Sequence, residues 1–249
     1  MTTLGMKTVT IPVRNREAVI AGTENATEMT AIQAMATRMW RILVPMGFMI
    51  IVISFIIGII NGINIGEFFG DAKIVREANP NHENFGTVQA IVTWLPGFKL
   101  FGVGLMLGGI TMILGSILGN LRIAGANVQA AVGVDVILPQ TPTTGKLFPP
   151  LMFMGLMTLM AAMFIGVWLS FVTADVYGNA ITDINGAAAG SDLLADTGLV
   201  HAVKAWLTPM EFLGMAFLFS AITLALATIV TALRFQARRL VEIAEEKLS

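Results

Sequence analysis

Four apolar stretches alternate with polar ones along the chain, at about 42–63, 98–121, 147–173 and 209–233. The first and third hold no charged residue, the second only Lys99 and the fourth only Glu211. Each is long enough for a helix to cross a hydrocarbon core about 30 Å thick. None shows the two-residue alternation of a strand. Four transmembrane helices are therefore expected: TM1 about 42–63, TM2 about 98–121, TM3 about 147–173 and TM4 about 209–233.

The polar segments fit around these spans. Residues 1–40 read as a tail followed by an amphipathic helix. Thr23 or Asn25 is a candidate cap, and Met29, Ile32, Met35, Ala36 and Met39 recur at helical spacing. Arg38, Trp40 and Arg41 suit the start of TM1 as an interfacial anchor. Residues 65–85 read as a polar loop. Residues 86–95 read as a short interfacial helix that Pro96 and Gly97 break. Residues 123–145 read as a loop, and 174–197 as a second, small and acidic loop. Residues 235–249 read as an amphipathic tail.

An internal repeat joins two of the spans. Shifted by 112 positions, 86–122 falls on 198–234 without a gap, with twelve identities in 37 positions. Gly86, Val88, Ala90, Trp94, Leu95, Gly102, Thr111 and Arg122 are among them, meeting Gly198, Val200, Ala202, Trp206, Leu207, Gly214, Thr223 and Arg234. Membrane helices share Leu and Ile through composition alone. Gly, Trp, Thr and a terminal Arg in register point to duplication. TM1 and TM3 match less closely, at an offset of 105 that sets Arg41 on Lys146 and Pro45 on Pro150. Repeat 1 is then 41–122 and repeat 2 is 146–234.

Charge orients the pattern. Eleven of the fifteen Lys and Arg fall in the N-terminal tail, the middle loop and the C-terminal tail. The positive-inside rule places those segments, and both termini, in the cytoplasm. Each half is then an in–out–in hairpin. The fold class expected is all-α integral membrane, four helices as two tandem parallel hairpin repeats about a pseudo-twofold along the membrane normal. The expected location is the cytoplasmic membrane of a prokaryote, as a multi-pass protein.

Composition confirms the class and narrows the chemistry. Mean hydropathy is +0.78, and only 12% of the 249 residues are charged. A net charge of −1 gives no basic field for nucleic acid. Cysteine is absent, which removes thiolate metal sites, iron–sulfur clusters and cysteine nucleophiles. No phosphate loop, catalytic triad or nucleotide fingerprint is present.

Candidate residues are few. Lys99 and Glu211 share one repeat position with opposite charge, a candidate inter-repeat ion pair. Glu211 also has a local reading, since Thr208-Pro209-Met210-Glu211 spells a capping box. Gly102, Gly104, Gly108, Gly115, Gly119 and Gly214 are candidates for close helix packing. Thr111 and Thr223, symmetry mates at mid-span, are the pore candidates of a transporter. Met154, Met157, Met160 and Met163 resemble a soft-metal ladder but read as packing. His82 and His201 fall near Glu83 and Asp196. Outer-loop carboxylates with two His could make a metal site of the mixed N/O kind, but no H-x3-H or H-E-x-x-H spacing supports it. No catalytic residue, cofactor or metal is assigned.

The expected function is a non-catalytic structural or accessory subunit of a multi-subunit membrane complex, acting through helix packing and assembly. An accessory place beside a membrane enzyme fits this reading. The expected partners are membrane lipids and other membrane subunits or copies of the chain, and no nucleic acid. The alternative is a small transporter or channel built on a duplicated two-helix hairpin.

Overall fold

The computed structural model describes residues 8–11, 30–139 and 142–248. The caps expected at Thr23 or Asn25, the start of the amphipathic helix at Met29 and most of the N-terminal tail lie outside these residues. The described elements are β1 (Thr8–Ile11), α1 (Thr30–Gly70), α2 (Lys73–Ala78), a 3-10 turn (His82–Asn84), α3 (Phe85–Val132), β2 (Val136–Pro139), α4 (Thr143–Tyr177), α5 (Ile181–Asn185) and α6 (Asp192–Leu248). Four of these helices, α1, α3, α4 and α6, are long and apolar enough to cross a membrane. They mark the chain as an integral, multi-pass membrane protein of all-α class.

The helices run further than the apolar stretches. At about 1.5 Å per residue, the 48-residue α3 is about 72 Å long and the 57-residue α6 about 85 Å. Both exceed the roughly 45 Å of a bilayer with its headgroups. The break expected at Pro96 is absent, because Pro96 lies inside α3. The separate interfacial helix expected at 86–95 forms the first turns of α3, and its repeat counterpart at 198–207 lies inside α6. A proline forfeits one backbone hydrogen bond. Ending a helix beside apolar surroundings strands several donors and acceptors, which costs more. Thr208 and Pro209 likewise lie inside α6, so no helix starts there and the capping box is not formed.

The segment read as a loop at 123–145 is mostly ordered. Its alanines favour helix, and α3 continues to Val132. Gly133 then takes φ +80°, the left-handed value that ends helices. β2 follows and pairs antiparallel with β1, Thr8 opposite Pro139 and Ile11 opposite Val136. This two-stranded ribbon is the one described departure from an all-α chain.

The chain divides into two units. The first comprises Met1–Val44, Leu107–Phe153 and Leu218–Ser249. In it β2 is held to α3 by Gln129. Its Oε1 accepts from the Ile137 N–H at 2.9 Å, and its Nε2 donates to the Ile137 carbonyl at 3.2 Å. Gln129 thus replaces the missing strand partner on that edge. The buried Arg122 donates to the Pro139 carbonyl, and Gln236 of α6 donates to the Leu121 carbonyl. Val136 and Leu138 pack on Ala126. Phe148 of α4 packs between Ala221 and Ala225 of α6, with Leu114 of α3 alongside.

The second unit comprises Pro45–Met106 and Met154–Phe217, and within it the four helices pack as a bundle. A Cβ at Gly102 of α3 would lie 2.7 Å from Ile50 Cγ2 and 3.1 Å from the Gly47 carbonyl oxygen of α1. A Cβ at Gly214 of α6 would lie 2.8 Å from Leu159 Cγ and 3.2 Å from the Gly155 carbonyl oxygen of α4. Both contacts need glycine, because backbone cannot retreat. Leu169, Val200 and Val203 form a core between α4 and α6. The hydroxyls of Thr93 on α3 and Thr173 on α4 lie 3.3 Å apart, both buried.

Candidate functional site

The second unit carries the most chemistry, in the connection between α1 and α3. Phe68, 2% exposed, stacks on Phe85 with ring centres 3.9 Å apart and planes 11° apart. Tyr177 of α4 meets the edge of Phe85 at 5.7 Å. These rings pin the end of α1 to the start of α3. The chain between them turns through three left-handed residues, Asn81 (φ 47°), Glu83 (φ 49°) and Asn84 (φ 55°). Asparagine tolerates that region; glutamate seldom enters it. Asn81 Oδ1 accepts from the Gly86 N–H at 3.1 Å, which fixes the turn. Gly86 itself is pressed on α4, since a Cβ there would lie 2.6 Å from the Ala174 carbonyl oxygen.

This frame brings Asp71, just past α1, to His82. Their Oδ2 and Nε2 lie 2.5 Å apart, and Glu83 completes a group whose ligand atoms all lie within 4.8 Å of one another. Among the described residues it is the one such cluster of three or more potential metal ligands. Sequence reasoning paired His82 with Glu83 and missed Asp71. Ten residues separate Asp71 from His82, six of them in α2, and no periodicity carries one to the other. His201 is exposed and takes no part in the cluster.

The sequence-derived pair falls elsewhere in the same unit. Lys99 is exposed, whereas Glu211 is 5% exposed. No salt bridge joins them among the described residues. Glu211 Oε1 instead lies 3.0 Å from where a Cβ at Gly97 would stand, in a notch closed by the backbone of Ala162 and Met163 on α4. With the capping box unformed, Glu211 is a buried carboxylate within a span. It makes no hydrogen bond or ion pair with another described residue.

Gly102, Gly104, Gly108, Gly115, Gly119 and Gly214 are all buried. Thr111 and Thr223, both in the first unit, differ in surroundings. Thr111 is fully buried and Thr223 is exposed. Each hydroxyl donates to its own helix, Thr111 to Leu107 and Thr223 to Phe219, both at 2.9 Å. They do not share the equivalent environment of a symmetric pore lining.

The sequence reading also passed over a glycine stripe on α1. Gly58, Gly62, Gly66 and Gly70 recur every four residues on one slowly turning face. A Cβ at Gly62, Gly66 or Gly70 would meet nothing within 4 Å, and one at Gly58 only Leu95, at 3.7 Å. The spacing alone was a sufficient signal. Comparison of the chain with protein-family models, with curated proteins and with solved structures yields no match.

Proposed function

We propose that the chain is a non-catalytic accessory subunit of a multi-subunit membrane complex, acting through helix packing and assembly. The observation that carries this reading is the open glycine stripe of α1. Where glycine is buried in this chain, at Gly102 and Gly214, it admits the backbone of a neighbouring helix. Gly62, Gly66 and Gly70 offer the same geometry with no neighbour. Small residues four apart are the pattern by which membrane helices approach closely, because packing and not water drives their association. The occupant proposed is a transmembrane helix of another subunit.

The buried hydroxyls support the same reading over a transporter. Ser54, Thr93, Thr111, Thr173 and Thr228 are buried, and each hydroxyl bonds a carbonyl of its own helix; Thr93 also meets Thr173 and Thr228 meets Thr144, each on a neighbouring helix. Hydroxyls taken up by helix carbonyls and by helix-to-helix contacts do not line a conduction path.

The hairpin duplication belongs to this proposal too. A Cβ at the repeat-related Gly102 or Gly214 would lie 3.1 or 3.2 Å from a glycine carbonyl oxygen of the preceding long helix. These contacts pair Gly47 with Gly155, an offset of 108 where residue matching suggests 105. We place both termini on the cytoplasmic side of a prokaryotic membrane, from the distribution of Lys and Arg.

The test is Gly62→Leu with Gly66→Leu in the native membrane. Loss of co-purifying subunits, with the isolated chain as stable as before, supports the assembly role. Unchanged co-purification removes α1 as the docking face. Transport abolished by Thr111→Val with Thr223→Val would return the alternative.

A further inference from the structure

We infer that Asp71, His82 and Glu83 form a binding site for one divalent first-row transition ion, of the zinc or manganese kind. The donor set is one imidazole nitrogen and two carboxylate oxygens. Imidazole favours zinc, iron, nickel and copper, and carboxylate favours the harder ions, so the mixed set selects ions that accept both. Three protein ligands leave positions for water, as in open zinc sites.

Charge supports the assignment. Two carboxylates converge on one histidine, and the loop's own cations are engaged elsewhere. Lys73 lies 3.8 Å from Glu77, and Arg76 sits over the Phe69 ring at 4.9 Å. A divalent ion supplies the positive charge the cluster lacks. The frame is already fixed, by the stacked Phe68 and Phe85 and by the Asn81–Gly86 bond, so binding has little ordering left to impose.

The 2.5 Å between Asp71 and His82 is a hydrogen-bond distance. Two ligands of one tetrahedral zinc stand about 3.3 Å apart, given bonds of about 2.0 Å. The ion therefore replaces the shared proton, and a turn of the half-exposed Asp71 side chain opens the gap by just under about 1 Å. His82 is 19% exposed, which leaves the site a path to solvent.

The experiment uses the full chain in detergent, stripped by a chelator and titrated with Co2+ as a spectroscopic probe, with Zn2+ in competition. One equivalent of Co2+ with visible d–d absorption is expected, with affinity rising with pH as the proton is displaced. His82→Ala and Glu83→Gln should each weaken binding about tenfold or more. His201→Ala should leave it unchanged. Glu83→Gln spares the Asp71–His82 bond, so it decides the matter if His82→Ala fails to fold. No saturable binding would overturn the site. So would Co2+ bound as tightly by Glu83→Gln as by the parent.

Discussion

Two helices of similar apolarity are used in opposite ways. In α3, 44% of the most apolar stretch is buried; in α1 it is 17%. Both are glycine-rich. The glycines of α3 at Gly97, Gly102 and Gly109 are all in close contact, with Glu211, with Ile50 and Gly47, and with Val44. Those of α1 beyond Gly58 touch nothing. The same residue therefore has two meanings within one chain. In α3 it closes the fold. In α1 it leaves a surface as smooth as a packed interface but unpaired.

The largest expected effect tests that contrast directly. Gly102→Leu forces a side chain into Ile50 and the Gly47 carbonyl, which an added Cβ alone would already meet at 2.7 and 3.1 Å. It should destabilise the chain by about 3 kcal/mol or prevent folding, as severe overpacking does. Gly66→Leu should change the stability of the isolated chain by less than about 0.5 kcal/mol. Thermal unfolding in detergent measures both. Equal losses would show that the α1 stripe is part of the fold.

Next comes the far end of α3. Gln129→Leu keeps bulk but leaves the Ile137 N–H and carbonyl without their side-chain partner. A cost of about 1–3 kcal/mol follows, with faster proteolysis at 133–143. An unaltered cleavage rate would mean that the ribbon stands without this clamp.

Glu211→Gln is smaller and of opposite sign. The carboxylate lies against Gly97 of α3 with no partner among the described residues, so removing its charge relieves a desolvation cost. Stability should rise by about 1 kcal/mol. A fall would reveal a cation or partner that Glu211 serves. The smallest effect is that of Thr111→Val with Thr223→Val. Both hydroxyls bond only their own helix among the described residues, so the loss should stay below about 1 kcal/mol with assembly intact.

The sequence made some of this legible and hid the rest for physical reasons. Apolar length revealed four helices, because a span must satisfy its own backbone over a fixed thickness. The ends are harder to read, because Pro96 and Thr208 carry the punctuation that stops or starts helices in soluble proteins yet lie inside α3 and α6. Beside apolar surroundings a helix outlasts a proline. Ala124, Ala126 and Ala130 stand in a stretch that reads as a loop beside its Gly and Asn, yet they carry α3 onward, because alanine is the strongest helix former. The Asp71–His82 contact was invisible, because it depends on a stacked ring pair and a left-handed turn that leave no periodic trace. The β1–β2 ribbon was hidden for a similar reason, since four-residue strands carry almost no pattern.

The most direct measurement is native mass spectrometry of the protein drawn gently from its own membranes. The account predicts a particle in which this chain and other membrane subunits are present in fixed stoichiometry. It further predicts that Gly62→Leu with Gly66→Leu releases the chain from that particle. A monomer, or an assembly of this chain alone, would contradict it.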